Sequence, residues 1–184
     1  MTAGRIVIVS GPPGAGKTAV ARRLAAESEA PCAIHLHADD FYAYIRKGFV
    51  APWRPESRAQ NTVVLEALAA TAAIYAKGGY EVFADGIVGP WFFDPWIAAA
   101  ANAHLDLRYV LLLPDEATTV ARATSRRPPA LIDPDPVRFM WRQFAALEGY
   151  ARHTVDTSRL DIDEALTSIK RDLAAGRFRL NAGP

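Results

Sequence analysis

Gly11-Pro12-Pro13-Gly14-Ala15-Gly16-Lys17-Thr18 constrains this chain more than any other part of it. The segment satisfies G-x-x-x-x-G-K-[ST]. It lies between a β-branched apolar run, Ile6 to Ser10, and a stretch from Lys17 to Glu29 whose Val20, Ala21, Leu24 and Ala25 fall on one helical face before Pro31. That context is what a phosphate cradle needs. Glycines let backbone N–H groups turn inward around an anion, and the helix N-terminus adds partial positive charge. Lys17 can reach the β and γ phosphates of ATP, and Thr18 can offer its hydroxyl to Mg²⁺. A merely tight turn would aim Lys17 into a nest of N–H groups, a self-repelling arrangement without an anion. Gly11, Gly14, Ala15, Gly16, Lys17 and Thr18 are therefore the expected nucleotide-binding residues.

The rest of the chain alternates. Ala33–His37, Tyr80–Ala84, Leu107–Leu113 and His153–Val155 read as further strands. Between the second and third, Val64, Leu65, Leu68, Ala72 and Tyr75 keep a helical period that Gly78-Gly79 ends. Val137, Met140, Phe144 and Leu147 step by three and four, and Asp161 with Glu164 resembles a capping box before Ile162, Leu166, Ile169 and Leu173. Strands separated by helices imply a mostly parallel sheet covered on both faces, with ligands beyond the carboxyl ends of its strands. Asp39-Asp40, Asp85-Gly86 and Asp156-Thr157 all fall at such ends. With 184 residues the chain fits one domain, residues 1–184. Its 21 Lys and Arg against 20 Asp and Glu give a net charge of +1, which lacks the basic excess of nucleic-acid binders. No apolar run approaches the roughly 20 residues of a membrane helix. The single Cys32 and the absence of signal-peptide character before Ile6 suit a reducing cytoplasm.

The branch of nucleotide-binding protein is narrowed by what is missing. No Asn is followed by Lys, as guanine reading would require, and Asp85 is followed by Gly86 rather than by a water-orienting Glu. Across nearly its whole length the chain resembles the P-loop small-molecule kinases of the shikimate, gluconate, uridine kinase and chloramphenicol phosphotransferase circle. The carriers are Gly11 to Thr18, His37-Ala-Asp39-Asp40-Phe41-Tyr42, Phe83-Ala-Asp85-Gly86, Arg122 to Arg127, and Val155-Asp156-Thr157-Ser158. The resemblance implies a P-loop NTPase three-layer α/β sandwich whose five-stranded parallel sheet has the order 2-3-1-4-5. It also implies transfer of the γ-phosphate of ATP to a hydroxyl of a small molecule, with Arg122 to Pro136 as a mobile lid.

In that scheme Asp39 is the base that faces the acceptor hydroxyl, and Asp40 binds substrate or organises Mg²⁺ through water; the two roles are interchangeable at this stage. Either Asp also suits the cap of a helix starting at Phe41. Asp85 suits the metal's water shell with Thr18, a substrate hydroxyl, or a simple turn. Arg122 and Thr157 are assigned to the nucleotide and Arg126 to the transferring phosphate, Arg122 and Arg126 sharing a face if helical. Pro128-Pro129 and Asp133-Pro-Asp-Pro136 suggest a hinged loop after them. Tyr42, Arg46 and Trp91 are candidate acceptor contacts. Arg46, Lys47, Arg54 and Arg58 equally suit a nucleoside monophosphate, so a monophosphate kinase of the cytidylate type is the alternative, and a regulatory nucleotide-binding module without an acceptor pocket is a third. The sequence leaves the oligomeric state open.

Overall fold

The computed structural model describes residues 4–127 and 131–180. Five strands form one parallel sheet: β1 (Arg5–Ser10), β2 (Ala33–His37), β3 (Glu81–Asp85), β4 (Asp106–Leu112) and β5 (Thr154–Val155). Their order, β2-β3-β1-β4-β5, is the one the kinase resemblance implies. The period-two alternation of β1 sorts the core. Ile6 and Ile8 point to one face, beneath α3 (Arg58–Lys77) and α4 (Asp94–Asn102), while Val7 and Val9 point to the other, beneath α1 (Lys17–Ala26) and α7 (Ile162–Ala174). Both faces are covered, giving three layers. The fold is the P-loop NTPase α/β sandwich.

Element ends follow local chemistry. The chain leaves α3 through a Schellman pattern: Tyr80 N–H donates to Tyr75 O, Gly79 N–H donates to Ala76 O, and Gly79 takes a φ of 89°. Tyr80 is thereby spent on the turn, so β3 runs one residue later than its apolar pattern suggests and includes Asp85. Helix α1 ends at Ala26, short of Pro31, and Arg23 pairs with Glu27 where the expected helix would have continued. The expected capping box is present on α7, where Asp161 accepts from Glu164 N–H and Glu164 accepts from Asp161 N–H.

Two expectations are corrected. The short helix α2 (Ala38–Ala43) begins three residues before Phe41, with His37 at its N-cap position, so Asp39 and Asp40 lie in its first turn rather than capping it. The Asp133-Pro-Asp-Pro136 run does not form a hinge: it opens α6 (Pro134–Ala145), with Asp133 accepting from Asp135 N–H as the cap. Proline is tolerated there because the first helical N–H groups have no intrahelical acceptor. Arg122 belongs to α5 (Glu116–Thr124), so among the described residues only 125–127 and 131–133 of the expected lid are non-helical; Pro128 and Pro129 lie outside the described residues.

Residues 44–57, between α2 and α3, are anchored by the start of α3. The Gln60 amide accepts from Val50 N–H at 2.9 Å and donates to Val50 O at 2.7 Å. Asn61 accepts from the Tyr42 hydroxyl and donates to Pro52 O and Ser57 Oγ, while Ser57 Oγ–H faces Pro52 O and Arg54 O. No helix among the described residues is long and apolar enough to cross a membrane.

Candidate active site

The loop between β1 and α1 is held by its backbone. A Cβ on Gly11, whose φ is +144°, would lie 2.2 Å from Leu112 O, and one on Gly14, at φ +87°, would lie 2.4 Å from Thr119 O. Only glycine fits either place. Ala15 is buried, and its N–H donates to Pro12 O. Gly16 takes the N-cap of α1 with no side-chain cap, so the leading N–H groups of the helix are left for a ligand. Lys17 arches back to donate from Nζ to Pro12 O at 2.9 Å. A cavity of about 340 Å³ opens over Gly14, Gly16, Lys17 and Thr18, with Arg122 and Arg126 also in its lining.

At the end of β3, buried Asp85 accepts from the Thr18 hydroxyl through Oδ2 at 2.8 Å. Its other oxygen, Oδ1, lies 2.6 Å from His35 Nε2 and 3.0 Å from His37 Nδ1. Burial works against the Asp85 charge, yet hydrogen bonds from His35, His37 and Thr18, with the His37 charge, hold its carboxyl well below the usual range. Hydroxyl and carboxylate oxygens side by side suit the hard, oxygen-seeking Mg²⁺ of a nucleotide complex. Thr18 and Asp85 therefore fit that ion.

His37 also reaches the other carboxylate, its Nε2 standing 3.4 Å from Asp39 Oδ2. Asp39 and Asp85 together raise the His37 imidazole to about 10, and His37 in turn holds the Asp39 carboxyl below its ordinary value. Burial pushes the Lys17 ammonium down to about 8 against the pull of Asp85 and Asp39, with Arg126 acting in the same direction as burial. Four expected residues from distant parts of the sequence thus share one electrostatic field.

The remaining expected residues are placed unevenly. Arg122 donates to Thr157 O at 3.2 Å, and the buried Thr157 Oγ1 has no hydrogen-bond partner among the described residues. Arg126 follows the end of α5 rather than lying within it. Burial and then the Asp39 charge raise the Tyr42 phenol above its usual value, and its hydroxyl donates to Asn61. Asp40 and Arg46 are exposed, and Trp91 lies across Gly89 with its ring 5.5 Å from Phe144. No ion pair or hydrogen bond among the described residues joins Asp40, Arg46 or Trp91 to the Lys17 centre.

Sequence reasoning gave no role to His35 or His37. The signal was available in β2: Ile34 and Leu36 pack toward α3, and the intervening positions are histidines, on the face where neighbouring Phe83, Val7 and Val9 are apolar.

Comparisons with known proteins agree with this geometry. Solved structures of similar shape include a sugar kinase from Janibacter sp. HTCC2649 (18% identity, 93% of this chain and 95% of that one, TM-score 0.68). A tunicamycin resistance protein from Deinococcus radiodurans (17%, 97% and 99%, 0.64) and a gluconokinase from Sinorhizobium meliloti 1021 (18%, 95% and 93%, 0.64) are also similar. At such identities the likeness is one of fold. No curated protein matches the chain. Residues 6–147, which include the phosphate loop, both histidines, Asp39, Asp85 and the arginines, match the family model described as AAA domain, and the chain belongs to that P-loop family.

Proposed function

We propose that the chain is an ATP-dependent phosphotransferase that moves the γ-phosphate to a hydroxyl of a small molecule. The observation that carries this reading is the placement of a largely exposed Asp39 carboxylate, held by His37, in the same field as Lys17 and Asp85. A nucleotide-binding module has no use for a carboxylate open to solvent beside its phosphate loop, whereas an acceptor hydroxyl needs one. In this reading Lys17 and the α1 N-terminus neutralise the β and γ phosphates, Thr18 and Asp85 Oδ2 hold Mg²⁺, and Arg126 meets charge on the transferring group. Magnesium would supply charge neutralisation at the phosphate oxygens when bound. Asp39 accepts the acceptor's proton, and His37 keeps that carboxylate oriented and ionised. Arg122 and Thr157 serve the nucleotide, Arg122 to Pro136 is the segment assigned to the lid, and residues 1–184 act as one unit.

The acceptor approaches from the side of α2 and residues 44–57. The sugar kinase and gluconokinase of like fold support a polyol or ring-bearing alcohol. A coupled ADP-release screen of nucleosides, nucleoside monophosphates, sugars and hydroxyl-bearing antibiotics tests the proposal. ATP turnover that depends on an alcohol acceptor is the expected result. Turnover confined to nucleoside monophosphates would replace it with a monophosphate kinase, and retained nucleotide without turnover would replace it with a regulatory module.

A further inference from the structure

Asp85 divides its two oxygens between two environments. Oδ2 meets the Thr18 hydroxyl at 2.8 Å, on the side assigned to magnesium, with His37 Nδ1 farther off at 3.2 Å, whereas Oδ1 meets only nitrogen: His35 Nε2 at 2.6 Å and His37 Nδ1 at 3.0 Å. The strands build this arrangement. His35 and His37 are two apart on β2 and so project from the same face, and His37 is the register partner of Asp85 on β3. One ligand atom from each of the three lies within 4.8 Å of the others, and their side chains are 17%, 25% and 0% exposed. The opposite edge of His37 carries its own partner, Nε2 standing 3.4 Å from Asp39 Oδ2. An imidazole with one nitrogen toward a site and the other toward a carboxylate is the arrangement that orients metal-bound histidines.

We propose that His35, His37 and Asp85 form a second cation site, selective for a nitrogen-preferring divalent ion of the zinc type and distinct from the oxygen site of Thr18. Two imidazoles and one carboxylate make a donor set for zinc and its first-row neighbours, whereas magnesium takes oxygen ligands in near-octahedral array. The ion takes the place of both N–H groups that face Asp85 Oδ1: His37 releases its Nδ1 proton to solvent and keeps the one on Nε2 toward Asp39, and His35 carries its proton on Nδ1 so that Nε2 offers a lone pair. Bonds of about 2.1 Å at tetrahedral angles hold ligand atoms about 3.4 Å apart. The 2.6 Å contact of His35 therefore opens by a side-chain rotation, which an edge strand permits. Because Asp85 serves both sites, occupation of one changes the charge met at the other. The inference does not rest on phosphoryl transfer, since it concerns the nucleotide-free chain.

The test uses the whole chain, stripped with chelator, in millimolar Mg²⁺ and without nucleotide. Zn²⁺ titrated by calorimetry should bind as a single equivalent, and Co²⁺ should develop the intense visible bands of four- or five-coordinate nitrogen ligation. His35→Gln and His37→Gln should each weaken Zn²⁺ binding by about 100-fold or more, beyond the loss usual for a supporting residue. Lys17→Ala, which strikes the phosphate site, should bind zinc no more weakly than the parent. In the unmutated chain, where folding is not in question, Zn²⁺ should move the imidazole NMR signals of His35 and His37 while those of His104 and His153 stay put. No binding, binding that survives both glutamine variants, or NMR shifts at the other two histidines would overturn the proposal and leave His35 and His37 as hydrogen-bond clamps on Asp85.

Discussion

Single side chains divide the proposed chemistry into separable measurements. Lys17→Ala removes the ammonium that arches back over the loop, and ATP turnover should fall below detection while the ligand-free thermal transition stays where it was. Turnover near the parent rate would remove the phosphate-loop assignment. Asp39→Asn keeps the shape and loses the charge, so MgATP affinity should hold while kcat for an alcohol acceptor drops about 10²- to 10⁴-fold, the range for a positioned base. A parallel fall in MgATP affinity would instead make Asp39 a metal organiser. Arg126→Ala should lower kcat more than it weakens ATP binding, because a residue at the end of α5 that reaches the Lys17 field acts chiefly on charge that develops during transfer. Equal losses in both would assign Arg126 to ground-state binding.

At the scale of elements, helix ends are the places where one side chain decides stability. Asp161 and Glu164 satisfy each other's backbone N–H groups at the start of α7, whose Leu166, Ile169 and Leu173 cover the sheet. Asp161→Ala should therefore cost about 1 kcal/mol. For a chain of this length that lowers the thermal midpoint by about 2 to 4 °C, readable by circular dichroism. The Asp161–Glu164 pair was legible in the sequence because capping is local: the residues that satisfy one another are three apart. The same holds for the phosphate loop and for the end of α3. The start of α6 was legible too, since Asp133 before Pro134 is a cap ahead of a first-position proline and the helical period from Val137 follows, but the hinge reading passes over it. What could not be read depended on distant partners. Nothing in His35-Leu36-His37 says which strand lies alongside. Only the register of β2 on β3 brings those histidines to Asp85, and only the packing of residues 44–57 on α3 gives Gln60 and Asn61 their backbone partners.

For the molecule as a whole, a buried histidine far from the cleft sets part of the acid limit of stability. His153 is 2% exposed, donates from Nδ1 to Tyr109 O at 3.0 Å, and receives the Arg152 guanidinium at Nε2 at 3.1 Å, a pattern that requires the neutral ring. Burial lowers its pKa, Tyr109 O opposes that, and Arg152 and Arg177 add to it. The unfolded chain, with an ordinary value near 6.5, therefore binds the proton first as pH falls. The contribution of His153 is complete above pH 6.5 and is lost progressively below it. The gap in thermal midpoint between the parent and His153→Gln, measured from pH 7.5 down to about 5, should narrow; the gap is the measure because both chains share His37, whose raised pKa works in the opposite direction over the same window. A constant gap would deny the linkage. The anchoring of residues 44–57 has a different kind of consequence. Its described side-chain hydrogen bonds involve Tyr42, Ser57, Gln60 and Asn61, at or beside the helices that frame the segment, while Arg46, Lys47, Phe49, Trp53 and Arg54 between them are exposed. On the proposed acceptor side, the segment then works as an exchangeable cassette: substitutions at its exposed interior positions should leave the thermal midpoint nearly unchanged while the four anchors keep the scaffold beneath it.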